Sequence, residues 1–191
     1  MTKKRIAIFI SGRGSNMKAI AEQAQSGILK DCCEIVWVLA NKKTAKGLET
    51  AAEMNIPTVC IESKGKKRQG FDQEILDFLA PHEIDYIVLA GFMRIVSPVL
   101  VNAYPNRIIN IHPADTHQFK GLGAYEWAFE NQLESTKITV HYVDSGVDTG
   151  NIIEQKTVDL KGADTLHKIE VRGLKVEHSF YSEVLKRVFT S

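Results

Sequence analysis

Apolar, β-branched residues fall into short blocks along this chain, with stretches of helical periodicity between them. Arg5–Ile10, Glu34–Ala40, Pro57–Ile61, Asp85–Ala90 and Arg107–Ile111 are near-continuous apolar runs, the pattern of strands covered on both faces. Helical spacing appears from Met17 to about Gln25, over Ala45–Met54, and over Gln69–Ala80, where Phe71, Ile75, Phe78 and Leu79 share one face. This alternation predicts an α/β fold: a Rossmann-like, mostly parallel twisted sheet with helices on both faces. The pattern changes after about residue 115. A loop containing Gly121 and Gly123 leads into a helix over Ala124–Asn131. Two further strands, Lys137–Val143 and Asn151–Asp159, flank the Asp/Gly-rich stretch 144–150, and a terminal helix runs from about Asp164 to Val188. The two late strands can pair as a hairpin, an antiparallel addition at the C-terminal end of the sheet. With no repeat, low-complexity tract or Pro-rich linker, residues 1–191 read as a single domain.

Composition narrows the class. The 44% apolar and 25% charged fractions suit a soluble globular chain, and a net charge of +1 gives no reason to expect a nucleic-acid or membrane surface. The basic cluster Lys64–Arg68 reads as a solvated loop, although one of its cations could meet an acidic substrate. The three cysteines, Cys32, Cys33 and Cys60, have no zinc spacing and read as reduced thiols, with Cys60 in the core, which suggests a cytoplasmic protein. The basic N-terminus leads into a brief apolar run and then Ser11-Gly12, a first strand rather than a signal peptide.

Candidate chemistry sits at strand ends, where open α/β sheets bind ligands. Ser11–Asn16, after the first strand, is either a phosphate cradle at a helix N-terminus, with Ser15 capping the helix, or an ordinary capped turn. It is not the dinucleotide fingerprint: Met17 stands where the third glycine would be, and Asn41, not an acid, follows the second strand. Gly91–Pro98 is apolar where a loop should be polar. It is either a hydrophobic staple under the next helix or the wall of a slot for a flat aromatic ligand. Asn110 and His112 are two residues apart, so a strand points both side chains the same way. A carboxylate partner for them would come from 144–150, with Asp148 preferred over Asp144. His141, inside an apolar strand, reads as structural. No His/Cys/carboxylate set has metal-ligand spacing, so no metal is expected.

Several of these pieces occur together in order: Ile10–Asn16, Leu89–Ile95, Ser97-Pro98, Asn110–Pro113, Val140–Val143, Asp148-x-Gly150 and Glu177-His178. Over Ile6 to about Tyr181 the chain resembles the phosphoribosylglycinamide formyltransferases of purine biosynthesis. The resemblance implies that 10-formyltetrahydrofolate is the co-substrate and the amine of 5-phosphoribosylglycinamide the acceptor. It further implies that Gly14, Ser15 and Asn16 hold the ribose phosphate and that Glu177 contacts the same substrate. Arg68 would face the acidic tail of the folate. Met93, Arg94, Ile95 and Val96 would line the pterin slot, closed by Asp144, Ser145, Gly146, Val147 and Asp148. Asn110, His112 and Asp148 would be the catalytic trio. The partners would be small molecules, with no nucleic acid and no membrane, and the protein would be a monomer or homodimer.

One segment departs from the family pattern. Where relatives usually carry a Ser-Leu-Leu-Pro-type sequence after His-Pro, this chain has Ala114–Lys120, with Asp115, Thr116 and His117. The trio itself predicts a mechanism. Asn110 and a protonated His112 would donate to the oxyanion formed when the amine attacks the formyl carbon, and Asp148 would raise the His112 pKa to favour the imidazolium. The alternatives are another 10-formyltetrahydrofolate-dependent formyltransferase or hydrolase using the same Asn/His/Asp set, a non-catalytic folate or nucleotide sensor, and a plain Rossmann-type binding module.

Overall fold

A computed structural model of the protein describes residues 2–191. Seven strands form one sheet: β1 (Lys4–Ile10), β2 (Cys33–Ala40), β3 (Thr58–Cys60), β4 (Tyr86–Leu89), β5 (Ile108–His112), β6 (Ser135–Tyr142) and β7 (Ile152–Asp159). Their order is β3-β2-β1-β4-β5-β6-β7. β1 through β5 pair in parallel, while β6 is antiparallel to both β5 and β7. β6 alone therefore runs against the rest. The expected mostly parallel sheet and its antiparallel addition are both present.

Helices cover both faces. On one side lie α1 (Ser15–Ser26), α2 (Gly47–Glu53), α5 (Ala124–Glu130) and α6 (Leu166–Thr190), packed on Ile6, Ile8 and Ile10 of β1. On the other lie α3 (Arg68–Leu79) and α4 (Pro98–Ala103), packed on Ala7 and Phe9. The two-residue alternation of β1 thus feeds two separate cores. Of the face expected on α3, Phe71, Ile75 and Leu79 are buried, and Phe78 is half-buried against Trp37. The sequence pattern gives no separate element for α4; its six residues are too few to show a helical period. Cys60 is only partly buried, because β3 is a short edge strand with a neighbour on one side.

The chain winds outward from β1 to β3, then returns to place β4 on the other side of β1. The crevice at that reversal lies beyond the carboxyl ends of β1 and β4. Two hydrogen bonds close its rim: Ser11 N–H donates to the Gly91 carbonyl at 3.0 Å, and Met93 N–H donates to Ser11 Oγ at 2.7 Å. Beneath it, α6 is anchored by Tyr181. This side chain is fully buried, and its hydroxyl lies 3.0 Å from the Leu89 carbonyl and 2.9 Å from that of Ile109. One phenol thereby ties α6 to β4 and β5 just before the site. Tyr181→Phe removes the single O–H hydrogen that the two buried carbonyls share and is expected to lower stability by about 1–3 kcal/mol. Urea unfolding should show a lower midpoint with an unchanged slope.

Candidate functional site

At the C-terminal end of β5, alternation separates chemistry from packing. Ile109 and Ile111 enter the core beneath α6, while Asn110 and His112 point to the opposite face. The same split continues on β6, where Ile138 and Val140 pack inward and Thr139 and His141 turn the other way. The register sets Asn110 opposite His141 and His112 opposite Thr139. A polar face results at the one end of the sheet that α3 and α4 do not cover.

Asp148 completes the cluster from the 144–150 turn. Its Oδ2 lies 3.4 Å from His112 Nδ1 and accepts from the Gly121 N–H at 2.8 Å. Its Oδ1 lies 3.4 Å from His141 Nε2 and accepts from Asn110 Nδ2 at 3.3 Å. Asp148 adopts a left-handed φ of 49° to reach in, a conformation aspartate tolerates better than most residues. Asp144 does something else: its carboxylate accepts from Gly146 N–H at 3.0 Å and Thr149 Oγ1 at 2.6 Å, closing its own turn. Gly150 lets the turn close, since a Cβ there would lie 1.7 Å from the Tyr142 carbonyl oxygen.

The imidazole nitrogens can be assigned from their partners. His112 Nε2 sits 3.1 Å from the Phe119 carbonyl, which can only accept, so Nε2 carries hydrogen and Nδ1 faces Asp148. His141 Nδ1 likewise donates to the Tyr142 carbonyl at 2.8 Å. Its Nε2 can then accept from Asn110 Nδ2, 3.2 Å away, or when protonated donate to Asp148. Burial pushes the His112 pKa down; the Asp148 charge and the Phe119 carbonyl raise it without recovering the loss. This corrects the expectation of a favoured imidazolium: Asp148 acts in the expected direction, but desolvation of a ring only 4% exposed outweighs it. For Asp148, burial raises the pKa, but the His141 and Gly121 hydrogen bonds and the two imidazoles bring it below the usual carboxylate value.

These groups form the floor of a cleft of about 420 Å³. Met93, Arg94, Ile95 and Val96 make one wall, with Arg94 lying over the Phe71 ring at 5.2 Å from its centroid. Asp144, Gly146, Val147, Asn16 and Glu177 line the same cleft. Glu177 is the buried charged residue in the mostly apolar stripe of α6; it accepts from Asn16 Nδ2 at 2.7 Å and from the Tyr125 hydroxyl. Gly14, Ser15, Ser145 and Arg68 do not line this cleft: Arg68 is exposed at the start of α3, and Ser15 is exposed at the first residue of α1. Ser15 is not the helix cap. Gly14 takes that position at φ 74°, and a Cβ on it would meet Gly47 Cα at 3.0 Å. Among the described residues, no three His, Cys, Asp or Glu side chains are grouped to hold a metal ion.

Comparison with known proteins fits this arrangement. Residues 4–185 match the formyl transferase family. The chain belongs to that family. It is 39% identical to the phosphoribosylglycinamide formyltransferase of Bacillus subtilis, over 97% of this chain and 94% of that protein. It is 40% identical to the trifunctional purine biosynthetic protein adenosine-3 of Chironomus tentans over 97% of this chain, but spans only 14% of that longer protein. The crystal structure of phosphoribosylglycinamide formyltransferase from Bacillus halodurans superposes with a TM-score of 0.92 at 38% identity, covering 98% of this chain and 96% of that one.

Sequence reasoning missed His141, Phe119, Gly121 and Tyr125 as members of the site. His141 could be found only through the β5–β6 register; the others act through backbone atoms or through a contact between α5 and α6. One consequence is titratable. The His112 midpoint should fall below ~6.5, and lower still in Asp148→Asn, which removes the charge that raises it. Unfolded imidazole then takes the proton first, so His112 weakens the fold as pH drops through that region. An NMR titration of the ring in both proteins checks both statements.

Proposed function

We propose that this protein transfers the formyl group of 10-formyltetrahydrofolate to the amine of 5-phosphoribosylglycinamide, in the purine biosynthesis named for its relatives. The observation that carries this reading is the convergence of Asn110, His112 and Asp148 in a cleft that the apolar Met93, Ile95 and Val96 line together with Asn16 and Glu177. Among the described residues no helix is long and apolar enough to cross a membrane; the cytoplasm is the location we propose.

In this reading the pterin ring lies against Met93–Val96, and the acidic folate tail extends toward Arg68. The ribose phosphate meets the free N–H groups at the start of α1 beside Gly14, Ser15 and Asn16. Asn16 Oδ1 is buried and has no partner among the described residues, so it can accept from the amine substrate. Glu177 accepts from the same molecule.

The attacking amine forms a bond to the formyl carbon, and the C–N10 bond of the folate then breaks. Charge on the carbonyl oxygen in between is met by Asn110 and His112, and each such donor is worth about 3–4 kcal/mol. Their hydrogens are committed inside the protein, His112 Nε2–H to Phe119 and Asn110 Nδ2 to Asp148 and His141. The formyl oxygen therefore shares or replaces those acceptors. A water oriented by Asp148 takes the proton from the attacking nitrogen; it reaches the leaving nitrogen directly or by way of His112 Nδ1, where Asp148 stabilises the imidazolium while it holds that proton.

His112→Ala and Asp148→Asn are each expected to reduce kcat by ~10²-fold or more while leaving the affinity for a folate analogue nearly unchanged. Steady-state assays with 10-formyl-dideazafolate check this, with glycinamide ribonucleotide, an amino-sugar nucleotide or water as acceptor. Deformylation that proceeds equally without the ribonucleotide would overturn the acceptor assignment.

A further inference from the structure

We propose that Asp115 is a positioning residue: held by Lys137 and Gln155, it fixes the turn whose Phe119 carbonyl keeps hydrogen on His112 Nε2, so that His112 gains and loses its proton at Nδ1, beside Asp148. The catalytic consequence rests on the formyl-transfer reading above; the positioning itself does not.

Asp115 and Thr116 are buried and polar, at 7% and 5% exposure. A buried carboxylate needs partners. Asp115 Oδ2 accepts from Lys137 Nζ at 2.7 Å, and its Oδ1 accepts from Gln155 Nε2 at 3.2 Å and from the His117 N–H at 3.1 Å. Although burial raises its pKa, these contacts bring it down to about 2. Lys137 and Thr139 lie on the polar face of β6, and Gln155 pairs with Thr139 on β7. Thr139 Oγ1 accepts from Gln155 at 2.9 Å and donates to the Ala114 carbonyl at 2.7 Å, gripping the residue before Asp115 as well.

The backbone carries the grip onward. The Asp115 carbonyl accepts from Gln118 N–H at 2.8 Å and Phe119 N–H at 2.9 Å. The Phe119 carbonyl then accepts from His112 Nε2 at 3.1 Å, and its ring lies within 5° of parallel to the imidazole, stacked on Trp127 behind it. Two residues on, Gly121 N–H holds Asp148. One turn therefore places both members of the His112–Asp148 pair. Without the Phe119 carbonyl, Nε2 loses its acceptor, and the Nδ1–H form, donating to Asp148, becomes the better neutral ring. The charged and titratable groups facing His112 are Asp148, His141 and Glu177; Asp115 is not among them, so its influence runs through geometry.

The test uses Asp115→Leu and, because that variant can fold poorly, Lys137→Gln, which removes the partly exposed cation and leaves the carboxylate. In the wild type, nitrogen-15 NMR of the neutral His112 ring should show hydrogen on Nε2. Both variants should shift population toward Nδ1–H and lose ~10- to 100-fold in kcat, with the folate KM little changed. A tautomer and a kcat equal to wild type in both variants would overturn the proposal, whatever happens to thermal stability. If the wild type shows no formyl transfer, the reaction assignment falls, and the ring assignment in the variants still decides the role of Asp115.

Discussion

The burial of the Asp148 carboxylate is the constraint on which this structure turns. A charge taken out of water costs several kcal/mol unless it is paired and hydrogen-bonded. Here Asn110, His112, His141 and the Gly121 N–H all converge on it. Those partners come from β5, β6 and the loop before α5. The left-handed backbone at Asp148 and the close approach of Gly150 to Tyr142 set the carboxylate where all of them can reach. Loss of the antiparallel hairpin or of the 115–121 turn would leave a desolvated charge behind.

The same hairpin explains how the buried polar segment 114–119 is held. Along β6 the inward positions are Ile138 and Val140, and the outward ones are Lys137, Thr139 and His141. That outward face gives Asp115 a cation and an amide, and gives Ala114 a hydroxyl. One ion pair and two further hydrogen bonds from the hairpin thus anchor the segment. This anchoring is more directional than burial, since each bond depends on angle as well as distance. The lining of the cleft follows from topology: the reversal at β1 puts the apolar loop after β4 beside the β5 carboxyl end, and Tyr181 brings α6 close enough for Glu177 to meet Asn16.

Much of this was legible in the residues themselves. Apolar runs of strand length between helical stretches were enough for a mostly parallel sheet, because residues covered on both faces leave no polar alternation. Asn110 and His112 stood out because a two-residue spacing on a strand puts side chains on one face. Glu177 came into view only through the resemblance carried by Glu177-His178 in the last helix. Six-residue α4 was too short to show a period, and Cys60 looked like core because a three-residue edge strand reads much like an inner one.

What the sequence determined by itself was local: element type, the face each residue takes, and the strand ends where chemistry collects. Tertiary structure alone gave Asp144 its own turn to close, recruited His141, and set the protonation preference of His112. Each of these depends on register, on loop path or on how much water is excluded, and the last two join residues far apart in the chain. Periodicity carries no information about such distances, because it records only which side of its own element a residue occupies.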